Sequence, residues 1–301
     1  MTTEQNSTLN IKPLHHDSRF AAQVEGLDLA AGISDADVAA IERAMDEHAV
    51  LVFRKQRFTP AEQIAFTQRF GPLEYGFNKM LNQSKTRLQH IEIADISNVT
   101  DDGEVADRHH RRIINNMANQ LWHSDVSFQD PPARYSMLYS VMNPSWGGQT
   151  EFADMRAGFD ALDERLKTHI DGLLAEHFSM HSRFMLGDNQ YTQEQIDAIP
   201  KAHWPLVRIH PGSGRQLLFI GAHASHVVDM PVAEGRVLLA DLLEMAARPE
   251  HVYQHQWQVG DLVIWDNRAT LHRGRRYDLS ERRELRRTTT MDGGGEVSGE
   301  G

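Results

Sequence analysis

The chain has 301 residues, 40% of them hydrophobic and 24% charged, a composition that supports one large domain or two smaller ones and excludes a disordered chain. Its 42 acidic side chains outnumber its 31 basic ones and give a formal charge of −11, which disfavours general binding to nucleic acid. The absence of cysteine excludes disulfides, thiolate nucleophiles, iron–sulfur clusters and cysteine-bound zinc, so any metal chemistry depends on carboxylates and the 17 histidines.

The organisation of the chain is simple. No apolar stretch approaches the roughly 20 residues that a bilayer span requires, so we expect no membrane partner. The polar start, residues 1–10, lacks the basic and apolar regions of a secretory signal, which favours a cytoplasmic location. Without an internal repeat or linker, we predict a single domain over 14–292, a flexible N-terminal segment at 1–13 and a flexible Gly-rich tail at 293–301.

The first predicted elements are two helices and a strand. A capping-box pattern ahead of apolar residues at helical spacing predicts a helix over Asp35–His48. A strand follows over Val50–Phe53, and a Thr-Pro start predicts a second helix between Thr59 and Gly71. The polar and charged stretch 95–112 is then a long loop, either a solvated surface excursion or a lid over a binding site.

The rest of the chain is a succession of short strands interrupted by helices. Helical patterns cover 155–174, 193–199 and 233–247. Strand patterns cover 135–142, 150–152, 217–220, 251–256, 262–265 and 285–291. This arrangement predicts a mainly β protein, a sandwich or jelly roll with helical insertions. A doubly wound sheet fits less well because strict strand–helix alternation and a GxGxxG turn are both missing.

His-x-Asp motifs are candidate metal sites, because alternate residues of a strand point to the same face. Three occur, at 15–17, 123–125 and 169–171. The first lies in a polar segment without a strand pattern, and the third in a helical pattern, where a two-residue step sends the side chains to opposite faces. His123 and Asp125 lie just ahead of a predicted strand and are the favoured pair. His90 and Glu92 form a weaker candidate of the same geometry.

The C-terminal part supplies a third candidate ligand, His272. A predicted strand and a tight turn bring it from a neighbouring part of the sheet, as either a metal ligand or a hydrogen-bonded structural histidine. Two histidines and a carboxylate are typical of non-haem iron(II) sites with adjacent open positions. Farther on, Arg283 and Arg287 share one face of a predicted strand. They indicate two anionic partners if they point inward, or a solvated edge strand with an Arg–Glu ladder if they do not.

These motifs lie in order along segments that resemble one enzyme family over nearly the whole chain, from about Leu14 to Asp292. The segments are NQLWHSD at 119–125, GGQTEF at 147–152, FIGAHASH at 219–226, WDNR at 265–268 ahead of His272, and RRELRRTTT at 282–290. They resemble the iron(II)- and 2-oxoglutarate-dependent dioxygenases of the taurine dioxygenase group. The resemblance implies a double-stranded β-helix, or jelly roll, that uses Fe(2+), 2-oxoglutarate and O2.

The resemblance also implies roles for particular residues. His123, Asp125 and His272 match the iron ligands, while Thr150 and Arg283 match the residues that bind the distal carboxylate of 2-oxoglutarate. The candidates for binding the second substrate are Arg287, which matches the position that holds its acidic group, His223, Asn119, Ser127 and Lys79. For His223 a structural hydrogen bond is an equal alternative.

The implied reaction is hydroxylation of the ether carbon of an aryloxyacetate, which gives a phenol and glyoxylate together with succinate and CO2. One alternative keeps the chemistry but acts on an alkyl sulfonate or another small acid. A second alternative is a non-redox metal hydrolase or a metal-binding module. The resemblance further predicts a homo-oligomer whose small-molecule substrate carries a carboxylate.

Overall fold

The computed structural model describes residues 9–14, 18–75 and 87–293. The strands in these ranges are β1 (Asn10–Pro13), β2 (Ala22–Glu25), β3 (Val50–Phe53), β4 (Ala94–Ser97), β5 (Ala133–Met142), β6 (Thr150–Asp154), β7 (Leu174–Phe178), β8 (Lys201–Pro205), β9 (Val207–Ile209), β10 (Gln216–Leu218), β11 (Ala224–Val227), β12 (Val252–His255), β13 (Leu262–Asp266), β14 (Thr270–Gly274) and β15 (Glu284–Met291). The α-helices are α1 (Asp35–His48), α2 (Pro60–Gln68), α3 (Arg111–Met117), α4 (Met155–Asp160), α5 (Glu164–Ile170), α6 (Ser179–Met185), α7 (Gln193–Asp197) and α8 (Val232–Ala246). Ala118–Gln120 and Pro249–His251 are short 3-10 helices.

Seven strands form the main sheet, in the order β1-β2-β3-β13-β5-β15-β4. Strands β2 and β3 pair in parallel, whereas the other neighbours pair antiparallel. Strands distant in sequence are therefore neighbours in space, because β13 lies between β3 and β5 and β15 lies beside β5. This order brings the C-terminal part of the chain against the segment that follows Asp125.

The main sheet buries both of its faces. In β3, Val50 and Val52 point into one apolar cluster while Leu51 and Phe53 point into another, as the two-residue period of a strand requires. The first cluster is shared with the smaller sheet β12-β6-β14, and helices α1 and α2 cover the second. The fold is thus mainly β, a jelly roll with helical insertions, as the sequence predicts.

Several predicted elements are confirmed. Helix α1 and strand β3 have the predicted bounds. The capping box is also present, because the Ser34 hydroxyl accepts from the Asp37 amide at 3.1 Å while the Asp37 carboxylate accepts from the Ser34 amide at 3.0 Å. Helix α8 lies one residue ahead of its predicted bounds. The helical pattern over 155–174 is broken into α4 and α5, and β7 takes its last residue.

Two expectations about loops need correction. The stretch 95–112 is not one long loop, because β4 pairs with β15 and α3 begins at Arg111. The prediction was wrong because it took charged residues as a sign of irregular structure. In the fold, Asp95 of β4 forms ion pairs with Arg87 at 2.9 Å and with Arg112 at 3.1 Å. Within the segment expected to be flexible at 1–13, β1 pairs with β2.

Some expectations lie outside the described residues. They are the rest of the N-terminal segment at 1–8, most of the Gly-rich tail at 294–301, the motif at 15–17 and the candidate Lys79. Among the helices that are described, none combines the length and the apolar character needed to cross a bilayer.

Candidate active site

Two histidines far apart in sequence meet through their backbones. His123 and His272 form an isolated antiparallel bridge, in which each amide donates to the other residue's carbonyl, at 3.0 and 2.8 Å. Their ring centroids are 4.1 Å apart. Strand β14 delivers His272 to this position, so two rigid backbone segments fix both imidazoles.

Asp125 completes a cluster of three possible metal ligands. Its Oδ1 lies 3.9 Å from Nε2 of His123, and its Oδ2 lies 3.8 Å from Nε2 of His272. One ligand atom of each residue lies within 4.8 Å of the other two, and all three residues are buried. The structure thus brings together the three residues predicted as metal ligands.

The protonation of this cluster suits a divalent metal. Burial lowers the pKa of both His123 and His272, so their imidazoles are neutral at neutral pH. Burial alone would raise the pKa of Asp125, but the Arg287 guanidinium, helped by a hydrogen bond from Ser136, outweighs it and holds this pKa well below its usual range. Two neutral imidazoles and a carboxylate are a donor set that fits iron(II).

The carboxylate also contacts a cation from the main sheet. Arg287, on β15, donates from Nη1 to Oδ1 of Asp125, while its Nε is buried without a hydrogen-bond partner in the described part of the chain. Arg287 therefore lies beside the metal ligands with donor capacity to spare.

A small cavity of about 70 Å³ opens on one side of the histidines. Thr150, His272 and Arg283 line it. Arg283 is only 8% exposed, and burial lowers its pKa to about 10, so the guanidinium remains charged at neutral pH. Its Nη2 donates to the Gly148 carbonyl at 3.2 Å and its Nε has no partner, while no carboxylate of the described residues forms an ion pair with it.

Thr150 adds a directed donor to the same cavity. Its Oγ1 accepts a hydrogen bond from Nε1 of Trp257 at 3.0 Å. Because the indole N–H can only donate, the threonine hydroxyl keeps its own proton for another acceptor. A buried unpaired cation and a free hydroxyl proton fit the distal carboxylate of 2-oxoglutarate.

A larger cavity of about 190 Å³ opens on the other side. His123, Asn119 and Arg287 line both cavities, so the two spaces meet at the metal ligands. Val126 and His223 contribute to the wall of the larger cavity alone. Burial lowers the pKa of His223 well below its usual range, so this imidazole is neutral at neutral pH.

One of the predicted substrate contacts, Ser127, is placed differently by the structure. The Ser127 hydroxyl bonds to Nδ1 of His177 at 3.0 Å, and its carbonyl accepts from Nε1 of Trp204 at 2.7 Å. Ser127 is absent from the described lining of both cavities, so it supports the wall from behind. The motif at 169–171 is helical, as its pattern predicts: His169 is on α5 and Asp171 is its C-cap, and neither belongs to the cluster of metal ligands.

Sequence reasoning missed other residues around the site. Helix α6 lines the larger cavity through Ser179, Ser182 and Arg183, for which the sequence carries no motif. Two further residues, Ser136 and Asn267, hydrogen-bond to Asp125. The WDNR segment contains Asn267, and its place near His272 in the sequence is the signal that points to it.

Comparison with known proteins identifies the family. Residues 10–289 match the family described as "Taurine catabolism dioxygenase TauD, TfdA family". The chain belongs to this family. It is a dioxygenase dependent on 2-oxoglutarate, also called α-ketoglutarate, and its cofactors are Fe(2+), 2-oxoglutarate and O2. A non-redox hydrolase is not consistent with this assignment.

Individual relatives agree with the family. The chain is 59% identical over 280 residues to the α-ketoglutarate-dependent 2,4-dichlorophenoxyacetate dioxygenase of Cupriavidus pinatubonensis, covering 93% of this chain and 96% of that protein. It is 38% identical to the (S)-phenoxypropionate/α-ketoglutarate-dioxygenase of Sphingobium herbicidovorans, covering 91% and 92%. Among solved structures, AAD-2 in complex with Mn(II) and N-oxalylglycine has a TM-score of 0.90 at 42% identity, covering 95% of this chain and 98% of that chain.

Proposed function

We propose that this dioxygenase hydroxylates the ether carbon of an aryloxyacetate, with 2,4-dichlorophenoxyacetate as the representative substrate. The observation that carries the proposal is Arg287, a guanidinium with spare donors on the wall shared by the two cavities. A carboxylate bound there leaves the rest of its molecule in the larger cavity. The similarity to 2,4-dichlorophenoxyacetate dioxygenases supports the choice of an aryloxy acid.

The metal and its co-substrate have separate binding groups. His123, Asp125 and His272 would hold the iron, while Thr150 and Arg283 would bind the distal carboxylate of 2-oxoglutarate. When bound, iron(II) with 2-oxoglutarate and O2 supplies the oxidising power, and 2-oxoglutarate leaves as succinate and CO2. The two cavities allow both acids to bind beside the metal ligands at the same time.

The substrate would be held at two ends. Arg287 binds its carboxylate through charge-assisted hydrogen bonds, which places the adjacent carbon close to the metal ligands. Val126, Phe128 and His223 surround the aryl ring, and His223 lies edge-on to Phe128 with ring centroids 5.4 Å apart. These three uncharged side chains also help to exclude water from the C–H bond that reacts.

The products follow from simple chemistry. Replacement of one hydrogen by hydroxyl at the carbon between the ether oxygen and the carboxylate gives a hemiacetal. Its hydroxyl proton transfers to the ether oxygen as the C–O bond breaks, which releases a phenol and leaves the aldehyde of glyoxylate. An ether is thus cleaved without hydrolysis.

The test compares substrates and one variant. The purified enzyme with Fe(II), ascorbate and 2-oxoglutarate should release phenol from 2,4-dichlorophenoxyacetate and little sulfite from an alkyl sulfonate. In Arg287→Gln, the KM for the aryloxyacetate should rise about 100-fold because a charge-assisted pair is lost, with the Kd for 2-oxoglutarate within about threefold. Preferred turnover of the sulfonate, or a weakening of 2-oxoglutarate binding alone, would contradict the proposal.

A homo-oligomeric assembly and a cytoplasmic location stay predictions. Light scattering on the purified protein tests the first, and cell fractionation tests the second.

A further inference from the structure

The side chains of the WDNR segment at 265–268 belong to two separate hydrogen-bonded groups. Arg268 donates to the carboxylate of Asp266 at 2.7 Å, and Nε2 of His210 lies 3.0 Å from the same carboxylate, so these three side chains pair with one another. Asn267, between Asp266 and Arg268 in sequence, bonds instead to the backbone amide of Asp125. It is 1% exposed, so no solvent competes for its hydrogen bonds.

The orientation of the Asn267 amide follows from its donors. Its Oδ1 accepts from the Asp125 amide at 3.1 Å and from Nε1 of Trp265 at 3.0 Å. Both of these partners can only donate, so the oxygen of the side chain must face them. Its Nδ2 therefore faces Ser136, to which it donates at 2.9 Å.

The same reasoning fixes the proton of Ser136. Asn267 donates from Nδ2 to the Ser136 oxygen, so the Ser136 hydroxyl cannot donate back to it. An ionised carboxylate can only accept, so the hydroxyl proton points to Oδ2 of Asp125, at 2.7 Å. Ser136 is fully buried on β5. The Thr289 hydroxyl, 3.2 Å away, is left to donate to Ser136 or to another acceptor.

We propose that Ser136 and Asn267 are positioning residues that hold Asp125 for metal binding. Asn267 fixes the backbone amide of Asp125 and, through Ser136, one of its carboxylate oxygens. Oδ1 accepts one hydrogen bond, from Arg287, and keeps a second lone pair for a cation, while the bond from Ser136 to Oδ2 opposes rotation of the carboxylate. This inference concerns the metal site and does not depend on the substrate proposed above.

Trp265 contacts both Asn267 and the third ligand, His272. Its ring lies 4.6 Å from the ring of His272, while its indole N–H bonds to Asn267. Nδ1 of His272 has no hydrogen-bond partner in the described residues, so packing rather than a hydrogen bond orients this imidazole. The end of β13 thus orients two of the three ligands.

Removal of a single hydroxyl tests the inference. Ser136→Ala deletes the proton donor, whereas Ser140→Ala deletes an equally buried hydroxyl of the same strand that bonds to Asn143 at 2.9 Å. The Kd for Mn(II), measured by the electron paramagnetic resonance of free Mn(II) on the full-length protein without turnover, should rise about 10- to 100-fold in Ser136→Ala and stay within twofold in Ser140→Ala. Equal Mn(II) affinity in the two variants would overturn the inference.

A second pair separates the hydroxyl from its volume. Ser136→Thr and Ser136→Val add the same extra bulk, but only threonine keeps a hydroxyl. The threonine variant should bind Mn(II) at least about tenfold more tightly than the valine variant. The same affinity in both would mean that shape alone matters and would also overturn the inference. If both enlarged variants fail to fold, the alanine pair decides.

Discussion

The two cavities that meet at the metal ligands are built from different kinds of structure. The smaller one takes a greater share of its wall from strands than the larger one does, through residues such as Leu138 of β5, Thr150 of β6, Trp265 of β13 and His272 of β14. The larger one takes much of its wall from helix α6 and from irregular segments such as 126–129. A rigid sheet suits a co-substrate that never changes, whereas loops and short helices can be reshaped for another substrate.

The largest expected effect comes from the centre that both cavities share. In His272→Ala, succinate formation should fall by about 10³-fold or more, because the metal loses one of three protein ligands. Mn(II) affinity should fall with it. His226→Ala, which removes a half-buried histidine of the FIGAHASH segment, is the control and should keep both properties. Near-normal turnover in His272→Ala would show that this histidine is not a ligand.

The next effect should be confined to the smaller cavity. Arg283→Met removes two charge-assisted hydrogen bonds of about 1.5–3 kcal/mol each, so the KM for 2-oxoglutarate should rise about 10²- to 10³-fold. The free energy of unfolding of the ligand-free protein should not decrease, because an unpaired buried cation is replaced by an apolar side chain.

The matched control for this variant is Arg286→Met. Arg286 is equally buried but lies on the opposite face of β15, where it donates to the Phe58 carbonyl at 2.8 Å. This change should lower stability and leave the KM for 2-oxoglutarate unchanged. If both variants raised that KM equally, Arg283 would have no special role in the smaller cavity.

A smaller effect is expected from the wall of the larger cavity. Val126 follows Asp125 directly and has a φ of 57°, which is uncommon for a β-branched residue. Val126→Ala should lower kcat/KM for 2,4-dichlorophenoxyacetate about tenfold through lost contact with the ring, while the KM for 2-oxoglutarate changes by less than about twofold. If kcat/KM for 2,4-dichlorophenoxyacetate and the KM for 2-oxoglutarate changed by the same factor, Val126 would not act on the larger cavity alone.

The smallest expected effect is on stability and pH. Burial lowers the pKa of His177, which supports the larger cavity from behind through Ser127, to about 3. A histidine held neutral when folded but protonated when unfolded costs stability as the pH falls below about 6.5. Between pH 7 and pH 5.5, this loss should be about 1 kcal/mol.

His177→Asn isolates that contribution, because an amide can bond to Ser127 without titrating in this range. The free energy of unfolding, measured by denaturant titration at each pH, should fall less with acid in the variant than in the natural protein. The difference should be about 1 kcal/mol over this range. Identical pH dependence in the two proteins would show that His177 does not titrate on unfolding as described.

The difference between the cavities also explains what the sequence predicts. His272 and Thr150 lie on strands and Arg283 directly precedes β15, so a fixed two-residue period and short turns make these motifs readable, whereas Asp125 lies in a turn. Strand β4 could not be predicted from its residue pattern, because its Asp95 finds ion-pair partners only after the chain has folded.

The larger cavity was equally hard to predict. Its residues from α6 are brought to the site by tertiary packing, and neither their identity nor their spacing indicates binding. Ser127 illustrates the converse case, because it lies two residues from Asp125 in sequence and yet its hydroxyl bonds to His177. Proximity in sequence therefore predicts the pairing of His123 with Asp125 but does not predict where Ser127 points.

The central claim is that His123, Asp125 and His272 hold one metal between the two cavities. The most direct test is anomalous diffraction at the manganese edge from crystals grown with Mn(II) and N-oxalylglycine. We expect a single strong peak about 2 Å from Nε2 of both histidines and from Oδ1 of Asp125, with the analogue reaching Arg283. A peak bound elsewhere, or no peak at this cluster in crystals saturated with Mn(II), would contradict it.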